Sequence, residues 1–238
     1  MKQPNNPDSK KISVSVILPC HNEEKAIARC ILEAKKVLRE NNLHGEVIVS
    51  DSSSDNSRAI AQKYADRVVH HGLKGYGRAY LEGAKFATGQ YLFLADADGT
   101  YDFKEIPRFI SQLAEGYDLI IGNRLNKKIH NGAMPWLHRH VGSPFLSFLV
   151  RTIFGIPVYD INSGQRAITR EGWDKLNLTS PGMEFASEMI IKAKQKNLKM
   201  KEVDIAYMTR IGKSKLKTLP DGLRHLFLIV KLTIRRYV

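Results

Sequence analysis

Tyr91-Leu92-Phe93-Leu94-Ala95-Asp96-Ala97-Asp98 is the stretch that decides the fold class. An apolar run without polar alternation is followed at once by two carboxylates that are one residue apart. Such a run is typical of a strand in a parallel sheet, because helices cover both faces of that kind of sheet. Ligands bind these sheets outside the carboxyl ends of the strands. We therefore expect Asp96 and Asp98 to lie at the functional edge of a sheet.

The segments on either side of this strand alternate between strand-like and helix-like patterns. Strands are predicted over 14–19, 46–50, 67–70, 91–95, 119–122 and 203–209, and helices over 22–39, 58–64, 78–87, 105–114, 135–154, 184–195 and 221–237. In the helix predicted over 22–39, Glu23 and Glu24 suit the first turn. This alternation predicts an α/β fold with a mostly parallel central sheet and helices on both faces.

The chain is strongly basic, with 37 Lys and Arg against 24 Asp and Glu in 238 residues and a formal net charge of +13. Thirteen bases against three acids between Lys192 and Val238 give that stretch +10 of the total. Such a balance indicates an anionic partner, which could be nucleic acid, an anionic bilayer or a phosphorylated substrate. We expect no nucleic acid, because two acids at a strand exit would repel phosphates unless they bind metal, and no base-reading motif is present.

Cys20 and Cys30 are the only cysteines, and the N-terminus carries no signal peptide pattern. They indicate reduced thiols in a cytoplasmic protein. No apolar run approaches the roughly 18 to 20 residues that cross a bilayer. We therefore expect that the chain does not span a membrane by itself.

Asp96 and Asp98 form a candidate metal site. Carboxylate oxygens are preferred ligands of Mg²⁺ and Mn²⁺, and an ion held by two carboxylates keeps positions open for the oxygens of a diphosphate. Such an ion would neutralise the charge that grows on a departing nucleoside diphosphate. The pair could also cap a helix or solvate a loop, and its position at a strand end is what favours the metal.

Polar clusters also follow the first two strands. Asp51, which closes the second strand, could accept a hydrogen bond from a ring N–H of a nucleobase, and Glu24 could reach a ribose hydroxyl. Each cluster has a structural alternative, since Asp55 and Asn22 could cap the helices that follow them. For His21, a solvated position in the loop is the simpler role.

Seven segments together resemble the family 2 glycosyltransferases of GT-A fold, in particular the dolichyl- and polyprenyl-phosphate mannosyl- and glucosyltransferases. In the order that this family has them, the segments are 19–24, 51–55, 75–79, 96–98, 122–124, 160–166 and 210–215, and the resemblance covers residues 14–216. It implies an inverting, metal-dependent transfer of a hexose from a UDP- or GDP-linked sugar to a polyprenyl or dolichyl phosphate, at the cytoplasmic face of a membrane. The metal would be Mg²⁺ or Mn²⁺.

The resemblance also assigns roles to individual residues. It implies nucleotide-sugar binding by Pro19, His21, Glu23, Glu24, Asp51, Ser53, Asp96, Ala97, Asp98, Arg210 and Lys215. It implies metal binding by Asp96 and Asp98, and binding of the acceptor phosphate by Arg124, Arg139 and Ser143. The catalytic residues would be Asp98, Arg124 and Lys215. The resemblance implies that the loop over 210–215 closes on the donor diphosphate, for which Arg210 offers a bidentate fork and Lys215 a mobile point charge.

The sequence departs from the family pattern in three places. Asp51 is followed by serines instead of the usual Asp-Gly-Ser, so the resemblance does not indicate which nucleobase the donor carries. The segment 99–102 after Asp98 lacks the polar-His-Pro or polar-Asp-Pro run common in the mannosyltransferases, so the resemblance does not indicate that the transferred sugar is mannose. No Q-x-x-R-W motif follows the core, which argues against a processive polysaccharide synthase.

Two features favour a phosphate as the acceptor. The region 182–188 lacks the Glu-Asp pair that supplies a general base in relatives with hydroxyl acceptors. A phosphate monoester is already ionised near pH 7 and needs no base, so catalysis would depend on positioning and charge stabilisation. The segment 135–154 mixes Trp, Phe, Leu and Val with cations, which suits a helix in the headgroup plane of a membrane.

The same apolar segment could instead be a core helix or a dimer interface. A soluble glycosyltransferase with a small phosphorylated or hydroxylated acceptor, and a homo-oligomer, therefore stay open. The domain organisation that we expect is a disordered tail over 1–11, a GT-A catalytic domain over 12–216 with an amphipathic interface helix over 134–154, and a basic amphipathic helix over 217–238. The last helix would attract an anionic membrane surface, which the protein would contact peripherally.

Overall fold

The protein is described here from a computed structural model, which covers residues 13–126, 129, 133–134, 136, 138–212 and 218–237. The tail predicted over 1–11 and the predicted site residue Lys215 lie outside the described residues.

Seven strands form one central sheet in the described part of the chain. They are β1 (Ser13–Cys20), β2 (His44–Asp51), β3 (Arg67–His70), β4 (Tyr91–Leu94), β5 (Leu119–Asn123), β6 (Arg166–Thr169) and β7 (Met200–Asp204). The strand order is β3-β2-β1-β4-β6-β5-β7, and neighbours are parallel except for β6, which is antiparallel to β4 and β5. The prediction of a mostly parallel sheet is confirmed.

The described residues form eight α-helices, which cover both faces of this sheet. They are α1 (Ile27–Glu40), α2 (Ser57–Tyr64), α3 (Tyr76–Ala84), α4 (Ile106–Ala114), α5 (Ser143–Phe154), α6 (Arg170–Leu176), α7 (Phe185–Gln195) and α8 (Thr218–Tyr237). The core under α1, α2 and α4 contains Val16 and Leu18 of β1, and the core under the other five helices contains Ile17. Successive strand side chains point to opposite faces, so the continuous apolar run of β1 serves both cores.

The parallel register brings several strand ends to one edge of the sheet. Cys20 of β1 lies beside Asp51 of β2, and Asp51 lies beside His70 of β3. On the other side of β1, β4 ends shortly before Asp96 and Asp98. This carboxyl edge therefore collects the polar clusters, as the strand pattern predicted.

The first helix begins later than predicted. α1 starts at Ile27 instead of residue 22, because Asn22 has a φ of 57°, in the left-handed region, and the chain turns there first. The first turn of α1 contains no acid, so Glu23 and Glu24 do not stabilise it as we expected. Nor does Asn22 cap α1, since its side-chain oxygen accepts hydrogen bonds from the backbone of the loop that precedes α2.

The second half of the sheet also differs from the prediction. β7 covers Met200–Asp204 instead of 203–209, because it is an edge strand in which only Val203 is buried and the pattern of a core strand is absent. β6 and α6 lie in a stretch to which no pattern was assigned, since β6 is four residues long and opens with the buried Arg166.

Two glycines bring α3 close to the start of α7. Gly75 has a φ of 135°, which side chains rarely adopt. A Cβ atom on Gly77 would lie 2.2 Å from the Ser180 carbonyl oxygen and 2.6 Å from Phe185 Cβ. The glycines of the 75–79 segment therefore allow a close packing that places Tyr76 and Tyr80 beside the turn after β4. None of the helices in the described ranges is both long enough and apolar enough to cross a membrane.

Candidate functional site

Hydrogen bonds tie together the loops that follow β1 and β2. His21 Nδ1 lies 2.9 Å from the Ser52 carbonyl oxygen, and Ser53 Oγ accepts from the Asn22 N–H at 2.8 Å. Glu24 is exposed, and its Oε2 accepts from a backbone N–H at the start of α2 at 3.3 Å. The two polar clusters of the sequence thus form one interlocked rim at the carboxyl edge.

Asp51 is buried behind this rim, and both of its carboxylate oxygens have partners. Oδ1 accepts from the Ser53 N–H at 3.2 Å, and Oδ2 lies 3.0 Å from His70 Nδ1. The Asp51 side chain has no exposed surface, whereas the His70 side chain is 46% exposed. The pair therefore presents an imidazole to the solvent with a carboxylate behind it.

Asp96 and Asp98 lie in the turn after β4, with the buried Ala97 between them. The Tyr80 hydroxyl donates to Asp96 Oδ1 at 3.4 Å. Burial and the negative charge of Asp98 raise the pKa of Asp96 to about 7. Asp98 Oδ1 accepts from the backbone N–H of Thr100 at 3.0 Å and from its hydroxyl at 2.6 Å. The turn therefore carries one carboxylate whose ionisation is disfavoured by burial and by its charged neighbour.

Arg210 joins this turn to the rim. Its Nη1 lies 2.7 Å from Asp98 Oδ2, and its Nη2 donates to Glu23 Oε1. Burial would lower the pKa of Arg210, but the charges of Asp98 and Glu23 outweigh burial and raise it. Segments that are 187 residues apart in the chain therefore meet through one guanidinium group.

Arg124, at the end of β5, is held in a buried bidentate ion pair with Asp160. Nε lies 2.7 Å from Oδ2, Nη2 lies 2.8 Å from Oδ1, and the backbone N–H of Arg124 also donates to Oδ2 at 3.0 Å. The guanidinium carbon lies 5.1 Å from the centre of the Tyr207 ring. Burial would lower the pKa of Arg124, but Asp160 outweighs burial and raises it. Arg124 is therefore fixed in place as a charged group.

The loop over 160–166 is anchored beside Asp96. Arg166 is fully buried and donates to the carbonyl oxygens of Ser163, Ala186 and Ile161 at 2.7 to 2.9 Å. A Cβ on Gly164 in this loop would lie 2.8 Å from a carboxylate oxygen of Asp96. The loop thus forms one wall of the turn that carries the two carboxylates.

The predicted acceptor residues on the apolar segment lie in different environments. Arg139 is exposed in a π-helical turn that precedes α5, and Ser143 is buried in the first turn of α5. Within α5, Phe145 and Phe148 are more than half exposed, while Leu146 on the opposite face is buried. α5 therefore contributes to the core with one face and leaves the other apolar face in solvent.

α8 has a similar outward face. Its large apolar side chains that are more than half exposed recur every three or four residues, at Leu219, Leu223, Phe227, Val230 and Ile234. This spacing places them along one stripe of the helix, and exposed apolar surface of this kind commonly marks an interaction site.

A comparison with known families identifies the family of the chain. Residues 15–176 match the model of the family described as glycosyl transferase family 2. The chain belongs to this family. The resemblance to family 2 is thereby confirmed, and the match includes six of the seven sequence segments, all except 210–215.

Two curated relatives of the chain are named as transferases of a hexose. The chain is 42% identical over 220 residues to the low-salt glycan biosynthesis hexosyltransferase Agl6 of Haloferax volcanii, a match that covers 92% of this chain and 53% of Agl6. It is 29% identical over 210 residues to a dolichyl-phosphate hexose transferase of the same organism, covering 88% of this chain and 89% of that protein. The chain therefore spans about half the length of Agl6.

Solved structures of two glycosyl-3-phosphoglycerate synthases share the fold. Glucosyl-3-phosphoglycerate synthase from Mycobacterium tuberculosis, solved with Mn²⁺, UDP-glucose and phosphoglyceric acid, matches with a TM-score of 0.72 at 23% identity, covering 93% of this chain and 79% of that chain. Mannosyl-3-phosphoglycerate synthase from Rubrobacter xylanophilus matches with a TM-score of 0.71 at 19% identity, covering 94% and 74%. The GT-A fold that we expected is thus confirmed.

The family 2 carboxylate pair is chemically suited to a divalent cation. Asp96 and Asp98 offer hard oxygen donors, and a cation would offset the burial and the negative charge of Asp98 that raise the pKa of Asp96. Within the described ranges, no group of three or more His, Cys, Asp or Glu side chains could hold a metal by itself. A cation at this pair would therefore need further oxygen ligands, such as those of a diphosphate, which is the usual mode of Mg²⁺ in nucleotide sites.

The structure brings many of the predicted site residues to one edge. Pro19, His21, Glu23, Glu24, Asp51, Ser53, Asp96, Ala97, Asp98 and Arg210 all lie at or next to the carboxyl ends of β1, β2 and β4. Their roles stay predictions, as do those of Arg124, Arg139 and Ser143. Sequence reasoning did not single out His70, and it offered Asp160 and Arg166 only as the two ends of the segment 160–166. The partner of His70 lies 19 residues away and that of Asp160 lies 36 residues away, so no local pattern links them.

Proposed function

We propose that this family 2 glycosyltransferase moves a hexosyl group from a nucleoside-diphosphate sugar to a lipid-linked phosphate, with help from Mg²⁺ or Mn²⁺. The observation that carries the proposal is the pair Asp96 and Asp98 at the exit of a buried strand, with Arg210 against Asp98. Carboxylates for a cation and a guanidinium for phosphate oxygens are the two kinds of group that a diphosphate leaving group requires.

The proposed reaction is a single displacement. An oxygen of the acceptor phosphate forms a bond to the anomeric carbon, the bond from that carbon to the diphosphate oxygen breaks, and the nucleoside diphosphate leaves with the electron pair. A cation bound at the carboxylate pair would supply electrostatic stabilisation of the leaving group. Arg210 would exchange its contact with Asp98 for one with the diphosphate, and Lys215 would add a second positive charge.

The structural role of Glu188, the acidic residue of α7, supports an acceptor that needs no general base. Glu188 is buried and its carboxylate accepts hydrogen bonds from the N–H and hydroxyl of Thr179, from the Ser180 N–H and from Lys192. A carboxylate held by four donors in this way stabilises the loop before α7. An ionised phosphate acceptor has no proton to lose, so the reaction would not require another base.

Exposed apolar faces support a lipid as the carrier of that phosphate. The outward faces of α5 and α8 are rich in Phe and Leu, and α8 also carries exposed cations at Arg224 and Lys231. This combination favours peripheral contact with an anionic membrane surface, where each base contributes about 1 kcal/mol. The name of one curated relative, a dolichyl-phosphate hexose transferase, agrees with such an acceptor. The location at the cytoplasmic face of a membrane stays a prediction. So does the boundary between a catalytic domain that ends at residue 216 and a C-terminal helix that begins at residue 217.

A donor and acceptor screen tests the proposal. UDP- and GDP-linked hexoses are incubated with vesicles containing a polyprenyl phosphate, with Mg²⁺ or Mn²⁺ present, and glycolipid formation is measured. We expect product with at least one donor, none when polyprenol replaces its phosphate, and none in excess EDTA. Full activity in EDTA would contradict the metal role. Equal transfer to glycerol 3-phosphate would favour the soluble glycosyltransferase instead.

A further inference from the structure

An exposed histidine lies at the carboxyl edge, and its contact with a buried carboxylate determines which ring nitrogen carries the proton. His70 closes β3 and lies next to Asp51 in the parallel register. Its Nδ1 is 3.0 Å from Asp51 Oδ2, and its side chain is 46% exposed while that of Asp51 has no exposed surface. A ligand that approaches this part of the edge therefore meets the imidazole and not the carboxylate.

The contact with Asp51 sets the tautomer of the ring. An ionised carboxylate can only accept hydrogen bonds, so the proton between the two groups belongs to His70 Nδ1. In the neutral imidazole the other nitrogen, Nε2, is then an acceptor. Asp51 also accepts from the Ser53 N–H at 3.2 Å, so its carboxylate is held from two directions and keeps the ring in one orientation.

The neighbouring histidine has a different role. His71 Nε2 lies 3.1 Å from Ser50 Oγ, and His71 Nδ1 lies 3.0 Å from the Leu73 carbonyl oxygen. Both of its ring nitrogens are thus engaged within the protein. Of the two adjacent histidines, His70 is the one that presents a ring edge to the solvent.

We infer that His70 is a specificity-determining residue for the base of the nucleotide donor, and that Asp51 is the residue that positions it. This inference rests on the proposed function, because it assumes a nucleotide at the carboxyl edge of β1, β2 and β3. The acceptor nitrogen Nε2 suits a base that carries a ring N–H on its pairing edge, as uracil and guanine do. Cytosine and adenine carry a lone pair at that ring position, so two acceptors would face each other.

The size of this preference follows from the exposure of the site. A neutral hydrogen bond contributes about 0.5 to 1.5 kcal/mol net, and a half-exposed acceptor allows water to compensate the wrong base in part. We therefore expect UDP and GDP to bind about 3- to 10-fold more tightly than CDP and ADP. The diphosphate contacts at Asp96, Asp98 and Arg210 are common to all four ligands and should not alter the ranking.

Calorimetric titration of the four nucleoside diphosphates in the presence of Mn²⁺ tests the inference. For wild type we expect the ranking above. For His70→Ala we expect the four dissociation constants to converge, because the acceptor is gone while the diphosphate contacts persist. For His70→Gln we expect near-equal binding of all four bases, because a side-chain amide can both donate and accept. For His71→Ala, the matched control, we expect the wild-type ranking.

The outcomes separate failure of the inference from failure of the proposed function. If no nucleoside diphosphate binds to wild type, the proposed function is contradicted and the inference falls with it. If UDP or GDP binds but the ranking survives in folded His70→Ala and His70→Gln, the role of His70 is wrong while the glycosyltransferase proposal stands. Equal wild-type affinities for the four ligands would also overturn it. Thermal melts of both variants establish that each is folded.

Discussion

The two sides of the candidate site are built in opposite ways. On the proposed donor side, at the ends of β1, β2 and β4, charged groups such as Asp51, Asp98 and Glu23 are buried and each has a protein partner. On the proposed acceptor side, α5 and α8 leave large apolar side chains in solvent. Charged groups, which water usually solvates, are thus buried on the first side. Apolar groups, which are usually buried, are exposed on the second.

This difference teaches which side chains act within the protein and which are available to a partner. A buried charge must be paired, since its desolvation is otherwise unfavourable by several kcal/mol, so the donor side is organised before any ligand arrives. An exposed apolar face is not stabilised by water, and its burial against another surface would lower the free energy. The donor side therefore suits a small charged ligand, and the acceptor side suits a lipid.

The strongest test of this contrast concerns the two arginines assigned to the acceptor. Arg124→Ala should lower the free energy of unfolding by about 3 to 5 kcal/mol, because it leaves Asp160 as an uncompensated buried charge. Arg139→Ala should change stability by less than about 0.5 kcal/mol, because Arg139 is exposed. Urea unfolding of the two variants measures the difference.

Activity separates the structural role of Arg124 from a role in acceptor binding. We expect Arg139→Ala to lose transfer while it binds the nucleotide sugar normally. The double variant Arg124→Ala/Asp160→Ala should recover part of the lost stability, since no buried charge is left alone. If that double variant also recovered full transfer, Arg124 would have no direct role with the acceptor phosphate.

The second test breaks the donor side. Asp98→Asn keeps the shape of the side chain but removes its charge, so transfer should fall by about 10²- to 10³-fold, equivalent to about 3 to 4 kcal/mol of barrier. Asp102→Asn is the matched control, because Asp102 lies four residues on and its Oδ1 accepts from the Lys104 N–H. Initial rates at saturating donor and metal provide the measurement. Equal rates for wild type and Asp98→Asn would remove Asp98 from the site.

The donor side was largely predictable from the sequence. Strand ends at Cys20, Asp51 and Leu94 follow from apolar runs that stop at polar clusters, and a parallel sheet brings such ends together. What could not be predicted is which groups face each other. The contacts of Arg210 with Glu23 and of Arg124 with Asp160 join residues 187 and 36 positions apart, and no local pattern encodes such a pair.

The acceptor side was less predictable, for a physical reason. The apolar segment that contains α5 has hydrophobic residues around most of its circumference, so periodicity alone could not decide between core and surface. Packing decides it, because Leu146 and Val150 are buried whereas Phe145 and Phe148 are exposed. The strand β6 was missed because its first residue is the charged Arg166, which is buried and donates to carbonyl oxygens of the loop just before it and of Ala186.

The third test concerns a polar group that is buried on the helix side. His225 of α8 has its Nδ1 2.7 Å from Ser187 Oγ of α7. Burial lowers the pKa of His225 from about 6.5 to about 4, with Arg166 acting in the same direction and Asp221 against it. His225 is therefore neutral in the folded protein, and its contribution to stability is present above about pH 6.5 and is lost as the pH falls toward 4.

The low pKa of His225 makes the free energy of unfolding depend measurably on pH. Between about pH 7.5 and pH 5 the wild type should lose about 2 kcal/mol of unfolding free energy through His225, with a limit of about 3 kcal/mol at lower pH. His225→Gln cannot be protonated, so its stability should depend less on pH by that amount. Parallel pH profiles for the two proteins would show that His225 is not held neutral against α7.

The smallest change in stability should come from the outward face of α5. Replacing Phe145 and Phe148 together with Ser should shift the free energy of unfolding by less than about 0.5 kcal/mol per site, because both side chains are already more than half exposed. Binding to anionic liposomes should weaken clearly, because two of the apolar groups that would enter the headgroup region are gone. Replacing Leu146 and Val150 with Ser in the same helix is the matched control, and burial of these side chains predicts a loss of several kcal/mol. Co-sedimentation and thermal melts of both double variants decide the matter. If the Phe145/Phe148 variant keeps full liposome binding, the outward face does not contact the membrane, and the acceptor side would then be better explained as a surface for a second copy of the chain.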